Sequence, residues 1–239
     1  MEKIESKDNA KIKILRKLSQ KKYRDELGLF IVENIKTIQD ADLTPKMLFG
    51  TNKKILEKLK SDEKYLINEE VNKSFSSLDT PSGIVALYKK EEKKISYSSR
   101  VVYLNGINDP GNLGTIFRTA LAFDFNHIVV DEKCADIYNP KTIQAGKDAI
   151  FKLSITHDKN LKILKEIKEK MNIISTRLEA GKSPEKFRNK KICLVLGSEA
   201  HGVDRSIQKL SNDFIKIKIS KEMESLNVAI VAGIILYSI

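Results

Sequence analysis

An α/β protein with a mostly parallel sheet is predicted by three observations on this sequence. Short apolar runs, RVVYLNGI (100–107), HIVVD (127–131), NIISTRL (172–178) and KICLVLG (191–197), alternate with helical patterns. These runs are continuously apolar, as strands covered on both faces must be. A polar stretch without apolar period, KKEEKKISYSSR (89–100), separates this half from a smaller region with its own strand–helix alternation, and reads as a linker. Two α/β units follow, one small and one larger.

In the first unit, residues 9–22 place Ile12, Leu15 and Leu18 at helical spacing between lysines, which predicts one amphipathic basic helix. LGLFIVE (27–33) reads as a strand, followed by a helix near 34–41. PKMLFGT (45–51) and KYLIN (64–68) read as strands around the helix KKILEKLK, and a short helix and GIVALYKK (83–90) complete the block. In the second unit the strand at 100–107 leads through a loop to a helix over 113–124, then to the strand at 127–131. A helix near 139–149, a short strand KLSI and a helix over 159–171 come next. The strands at 172–178 and 191–197, a helix from about Asp204, a strand FIKIKI and an apolar terminal helix close the chain.

The 239 residues are 41% hydrophobic, enough for a core in each unit. Net charge is +11, and residues 1–24 alone hold nine Lys/Arg against three Asp/Glu. That balance suits a polyanion such as RNA, or equally a solvated lysine-rich surface. The longest apolar run, VAIVAGIILY (228–237), is too short for a bilayer, which needs about 20 residues. The lysine-studded N-terminus has no apolar region typical of a signal peptide. A cytoplasmic protein with no membrane partner is the expectation. Cys134 and Cys193 lack metal or redox spacing, and His127 and His157 have no neighbour suggesting a metal or a triad.

In open α/β sheets ligands bind beyond the carboxyl ends of strands, and three loops fall there. NGINDPGNLG (105–114) is glycine-punctuated, with Asn112 placed to cap the next helix and amides suited to an anion. It is neither a Walker A loop nor a GxGxxG dinucleotide loop. LGSEAHG (196–202) brackets Glu199, a carboxylate able to tie down its own loop or to act in chemistry. MESLNV (223–228) presents Ser225 and Asn227 at a helix entrance, as caps or as site groups. Arg118 is the one charge between Gly111 and Phe123; it can meet an anion or pair with Asp124.

DPGNLGTIFRTA, LVLGSEAHGV and ESLNVAIVAGIILY together resemble, in order, the three motifs of the SpoU (TrmH) branch of the SPOUT RNA methyltransferases. Residues 6–33 also resemble the start of the L30e/L7Ae-like substrate-binding domain of its rRNA-directed members. The resemblance implies an L30e-like domain over 1–92 and a SPOUT catalytic domain over 98–239, with a C-terminal trefoil knot. It implies transfer of a methyl group from S-adenosylmethionine to a ribose 2′-hydroxyl, in ribosomal RNA given the N-terminal domain. Transfer RNA as substrate, or an RNA-binding protein whose catalytic site has decayed, are the alternatives.

Position by position, Asn112, Arg118, Glu199, Ser225 and Asn227 match the family's catalytic residues. The cofactor is expected in the knot, near Leu196, Gly197, Ile217, Ile219, Leu226 and Val228. The resemblance further implies a homodimer through the knot and the terminal helix. Three stretches depart from the family's usual pattern. Ile217-Lys218-Ile219 stands for Ile-Pro-Met, and Val32-Glu33-Asn34 stands for Val-Glu-Gly. Gln144-Ala145-Gly146-Lys147-Asp148-Ala149 stands where relatives carry Arg-Ala-Ser followed by small residues.

Overall fold

Two sheets organise the chain, each with its own core. The computed structural model describes residues 1–91, 93–97 and 100–239. Linker positions 92, 98 and 99, and with them the expected domain start at 98, lie outside the described residues. The chain forms two compact units, Met1–Glu91 with Tyr138–Phe151, and Glu92–Ile137 with Lys152–Ile239.

The first unit opens with β1 (Glu2–Ile4), a strand the sequence pattern does not reveal. The single helix expected over 9–22 is two, α1 (Ala10–Lys17) and α2 (Lys21–Leu27). The break is made by Arg24, only 2% exposed. Its guanidinium donates to the carbonyls of Leu18 at 2.7 Å and Ser19 at 2.8 Å, groups left bare at the end of α1. There follow β2 (Leu29–Val32), α3 (Ile35–Asp40), β3 (Met47–Gly50), α4 (Lys53–Lys58), β4 (Glu63–Ile67), α5 (Glu69–Lys73) and β5 (Ile84–Lys89).

The five strands lie in the order β1-β4-β3-β5-β2. β1, β4 and β3 run parallel, and β5 runs antiparallel to both of its neighbours. Side chains alternate between faces: Phe49 packs with Ile12, Leu15 and Tyr65 on one side, and Leu48 with Phe30, Leu56 and Tyr88 on the other.

The second unit carries β6 (Val101–Asn105), α6 (Pro110–Ala122) and β7 (His127–Val130). The chain then makes α7 (Pro140–Gly146), α8 (Ala149–Lys152), β8 (Ser154–His157), α9 (Lys162–Lys168), β9 (Asn172–Thr176) and β10 (Ile192–Gly197). It ends with α10 (Arg205–Gln208), β11 (Asp213–Ile215) and α11 (Val228–Ser238). All six strands are parallel, in the order β11-β9-β10-β6-β7-β8. From β6 the chain moves outward through β7 and β8, then crosses to fill the other side. The switch point lies between β6 and β10, whose carboxyl ends are level: Gly197 is paired with Asn105.

Four expectations are corrected here. The helix after β6 starts at Pro110, not 113, and Asp109 caps it in place of Asn112. The Asp109 carboxylate accepts the Asn112 N–H at 2.7 Å, and proline suits a first turn because its missing N–H has no partner there anyway. The helix expected over 139–149 breaks at Lys147, whose φ of 55° and ψ of −131° are not helical. The helix at 159–171 contracts to α9, because Asn160 and Leu161 are left-handed and the Asp158 carboxylate caps the N–H groups of Ile163 and Leu164. Of FIKIKI only the start is strand. Its partner β9 ends at Thr176, so residues 216–219 leave the sheet.

Residues 138–151, although between β7 and β8, cluster with the first unit. There Ile143 and Phe151 join Phe30 and Tyr88 in one core, with Phe30 and Tyr138 rings 4.6 Å apart. Among the described residues no helix is long and apolar enough to cross a membrane.

A candidate active site at the switch point

The loops after β6 and β10, and the entrance to α11, meet at one residue. Asn112, in the first turn of α6, donates from Nδ2 to Glu199 Oε1 at 2.5 Å. Its Oδ1 accepts Asn227 Nδ2 at 3.0 Å. One side-chain amide thereby joins three segments far apart in sequence. Both of its polar ends are used, so its orientation is fixed.

Asn227 also serves its own helix. Its Oδ1 accepts the N–H groups of Ala229 at 2.9 Å and Ile230 at 3.4 Å, an ordinary N-cap. Capping and site contact, open alternatives in the sequence, are both true of this residue. For Glu199 the structure chooses. The loop's own amide is tied by Ser198, whose Oγ accepts His201 N–H at 3.3 Å and whose carbonyl accepts Gly202 N–H at 2.8 Å. The Glu199 carboxylate reaches across to Asn112 instead.

The turn holding Glu199 is tight enough to dictate glycine. A Cβ on Gly197 would lie 2.1 Å from the carbonyl carbon of Gly202, closer than any side chain can come, and Gly202 itself has φ of 64°.

Glu199 and Ser225 lie on the wall of a cavity of about 290 Å³. Gly197, Ile217, Ile219, Leu226 and Val228 line it as well, while Thr176 and Arg177 at the end of β9 supply polar groups. Arg177 stacks on Phe214 at 3.6 Å and donates to Gln208 Oε1 at 2.7 Å, which fixes that wall. Leu196 stands apart from the others in its group: it is fully buried in β10 and does not line the cavity. Lys218, which replaces the family's proline, is exposed and absent from the lining, so its charge does not enter the cavity.

Arg118 is exposed on α6. Among the described residues it makes no hydrogen bond and no ion pair, with Asp124 or any other group. Asn112, Glu199 and Asn227 are bonded together; Ser225 shares the cavity with Glu199; Arg118 is tied to none of them by a direct bond.

A second polar cluster beneath these loops is not evident from the motifs. Asn105, 2% exposed at the end of β6, donates to Asp131 Oδ2 at 2.7 Å and Asp204 Oδ2 at 3.0 Å, and accepts Asp204 N–H at 2.8 Å. Asp131 also accepts Gly106 N–H at 3.0 Å. Lys133 closes the cluster on Asp204 at 2.7 Å. Hydrogen bonds from Lys133 and Asn105 hold the Asp204 carboxyl below its ordinary value, against the upward pull of burial. The cluster pins the roots of the first two loops to each other. Its one sequence signal is position: a polar residue closing an apolar strand at a sheet's carboxyl edge. The Cys134 thiol, beside it, is pushed up to about 12 by burial, which disfavours the thiolate.

Comparison with known proteins gives a consistent set of likenesses. Residues 99–237 match the SpoU rRNA Methylase family, and residues 9–86 match the MRM3-like substrate binding domain. The 23S rRNA (guanosine(2553)-2′-O)-methyltransferase RlmP of Bacillus subtilis is 29% identical, over 99% of this chain and 98% of its own. Among solved structures, a TrmH-family protein from Porphyromonas gingivalis, described as a candidate RNA methyltransferase, is 28% identical. It superposes with a TM-score of 0.84 over 97% of each chain. The AdoMet-bound rRNA methyltransferase from Sinorhizobium meliloti, 24% identical, shares the fold with a TM-score of 0.89 over 99% of this chain and 96% of that one.

Proposed function

The chain belongs to the SpoU rRNA methylase family, and from that premise we propose that it methylates a ribose 2′-hydroxyl of ribosomal RNA. The observation that carries this reading is the Asn112 amide, which gathers Glu199 and Asn227 beside the cavity. S-adenosylmethionine, the cofactor of this chemistry, supplies an electrophilic methyl group on a sulfonium when bound. The cavity suits such a molecule in having two characters. Ile217, Ile219, Leu226 and Val228 offer an apolar wall to a purine, and Glu199 and Ser225 offer polar groups toward the loops.

Arg118 receives the RNA. A guanidinium stays protonated in proteins, so its role is electrostatic rather than that of a base. Exposed, and without a partner among the described residues, it can hold a phosphate bidentately, and its charge favours the alkoxide that develops on the adjacent hydroxyl. Asn112, locked by Glu199 and Asn227, fixes the geometry of attack, and Ser225 contributes a hydroxyl on the same wall.

Three further readings accompany this one. The N-terminal unit, L30e-like in kind and matched by a substrate-binding family, holds the RNA through its basic first helices. The C-terminal segment forms the family's knot, a reading supported by the tight closure of the turn 198–202 on Gly197 and by Ile217, Ile219, Ser225 and Leu226 lining the same cavity as that turn. Two copies pair through α11, which presents Ile230, Ile234 and Tyr237 to solvent while Val228, Ala229, Ala232, Ile235 and Leu236 are buried. The enzyme works in the cytoplasm, where its substrate is made.

Calorimetric titration with S-adenosylmethionine, followed by mapping of 2′-O-methyl groups on rRNA, tests the proposal. One saturable site per subunit and a new methyl group are expected, with Arg118→Ala abolishing transfer while cofactor binding persists. Absence of cofactor binding, with RNA present or not, overturns it.

A further inference from the structure

Two of the chain's departures from its family's pattern, more than a hundred residues apart in sequence, meet at one small cavity of the N-terminal unit. The cavity, about 70 Å³, is lined by Asn34 from one departure and by Gln144 and Lys147 from the other. Ile31, Leu78 and Ile143 supply apolar walls.

Asn34, Gln144 and Lys147 bring donors without partners among the described residues. Asn34 Oδ1 caps α3, accepting Thr37 N–H at 3.0 Å, which leaves its Nδ2 unpaired among the described residues. The half-buried Lys147 ammonium and the Gln144 amide likewise have none. The cavity's carboxylate, Glu33, is already satisfied: it accepts Ser76 Oγ at 2.5 Å, Ser77 N–H at 2.9 Å and Ser77 Oγ at 2.7 Å. These bonds hold it to the facing loop, and no ion pair joins it to Lys147 among the described residues. Lys147 has φ of 55° and ψ of −131°, the conformation of the first central residue of a type II′ turn, where glycine is at ease and lysine is not. Its N–H bonds to the Ile143 carbonyl at 2.8 Å, a bond any residue but proline makes. A lysine there is explained by its side chain and not by the turn.

We infer that this cavity is a phosphate-binding subsite for the substrate RNA, built by Lys147 and Asn34. Its size, a few waters' worth, fits one phosphate group rather than a base. A donor set with one cation is what a phosphate oxygen requires. The inference rests on the reading that the substrate is RNA.

Two substitutions separate it from a structural role. Lys147→Gly removes the ammonium and relaxes the turn. Asn34→Asp keeps the α3 cap but sets a carboxylate where the free amide donated. Binding of protein-free bacterial 23S rRNA is measured by filter retention over a range of salt, beside S-adenosylmethionine titration and thermal melting. Each variant is expected to bind the RNA about tenfold more weakly. Lys147→Gly is also expected to lower the slope of log affinity against log salt by one phosphate contact, about 0.7–0.9. Its melting temperature holds or rises, and cofactor binding is unchanged in both. Wild-type affinity and slope in Lys147→Gly overturn the inference, as does a wild-type protein that does not retain the RNA. Loss of cofactor binding or melting temperature in both variants overturns it too. RNA held through this cavity but never methylated defeats the proposed activity alone.

Discussion

Asparagine caps helices in both units, and the contrast between the two uses is informative. In the first unit Asn9, Asn52 and Asn68 each accept backbone N–H groups at the starts of α1, α4 and α5, with no further side-chain bond among the described residues. In the second, Asn227 caps α11 with one atom and holds Asn112 with the other. The local chemistry is the same. What turns a cap into part of a site is a second partner brought from a distant segment, and only the sheet's strand order supplies that.

Substitutions that split the two uses test the contrast, and the largest effect is expected at the hub. Asn112→Asp sets a carboxylate against Glu199, so the three loops lose their common geometry. Methyl transfer is expected to fall about 100-fold in single-turnover assays, the scale of a misplaced reacting group. An unchanged rate would remove Asn112 from the site.

Asn227→Asp comes next. The cap survives, since aspartate caps as well as asparagine, but the donor to Asn112 is gone. Transfer is expected to drop by about tenfold, the worth of one charge-free site contact, with the melting temperature held. Asn227→Ala removes both functions and should lower both readings.

Asn52→Ala is the counterpart in the first unit. It is expected to cost about 1 kcal/mol of stability, a few degrees of melting temperature, at full activity per folded molecule. A loss of activity there would erase the distinction between the two kinds of cap.

The smallest effect is a pH dependence. Asp204 is held below its ordinary value of 3.8 in the folded protein. A depressed carboxylate contributes stability above the unfolded value, and the contribution is lost as pH falls through the lowered one. Thermal stability is therefore expected to keep this contribution from neutrality to about pH 4 and to lose it below. In Asp204→Asn that part of the low-pH loss should be missing. Persistence of the same profile would place the titrating group elsewhere.

Much of this architecture is legible in the residues. Apolar runs mark β6, β7, β9 and β10 of the second sheet, though not the polar β8 or the short β11, and glycine-bracketed loops mark the switch point. Of the five polar residues that the motifs single out, Asn112, Glu199 and Asn227 are bonded together, while Arg118 and Ser225 are not bonded to them. What stays hidden is long-range or arises where one side chain answers another's backbone. Arg24 splits a helix whose periodicity is unbroken, because its partners are carbonyls and carbonyls leave no mark in a sequence. Asn105 and Asp131 are separated by a whole helix and strand before they pair. β1 is too short to show an alternation, and is strand only because β4 offers it an edge.

The core containing Phe30 and Tyr88 is completed by Ile143 and Phe151, from a segment that follows β7. Synthesis runs from the N-terminus at ~5–20 residues per second. The first unit therefore cannot finish folding when its own strands have left the ribosome. For several seconds one face of its sheet waits, aromatic rings uncovered, until residues 138–151 emerge behind β6, α6 and β7. For that interval the nascent chain carries an aggregation-prone apolar face that no inspection of the finished molecule's surface would single out.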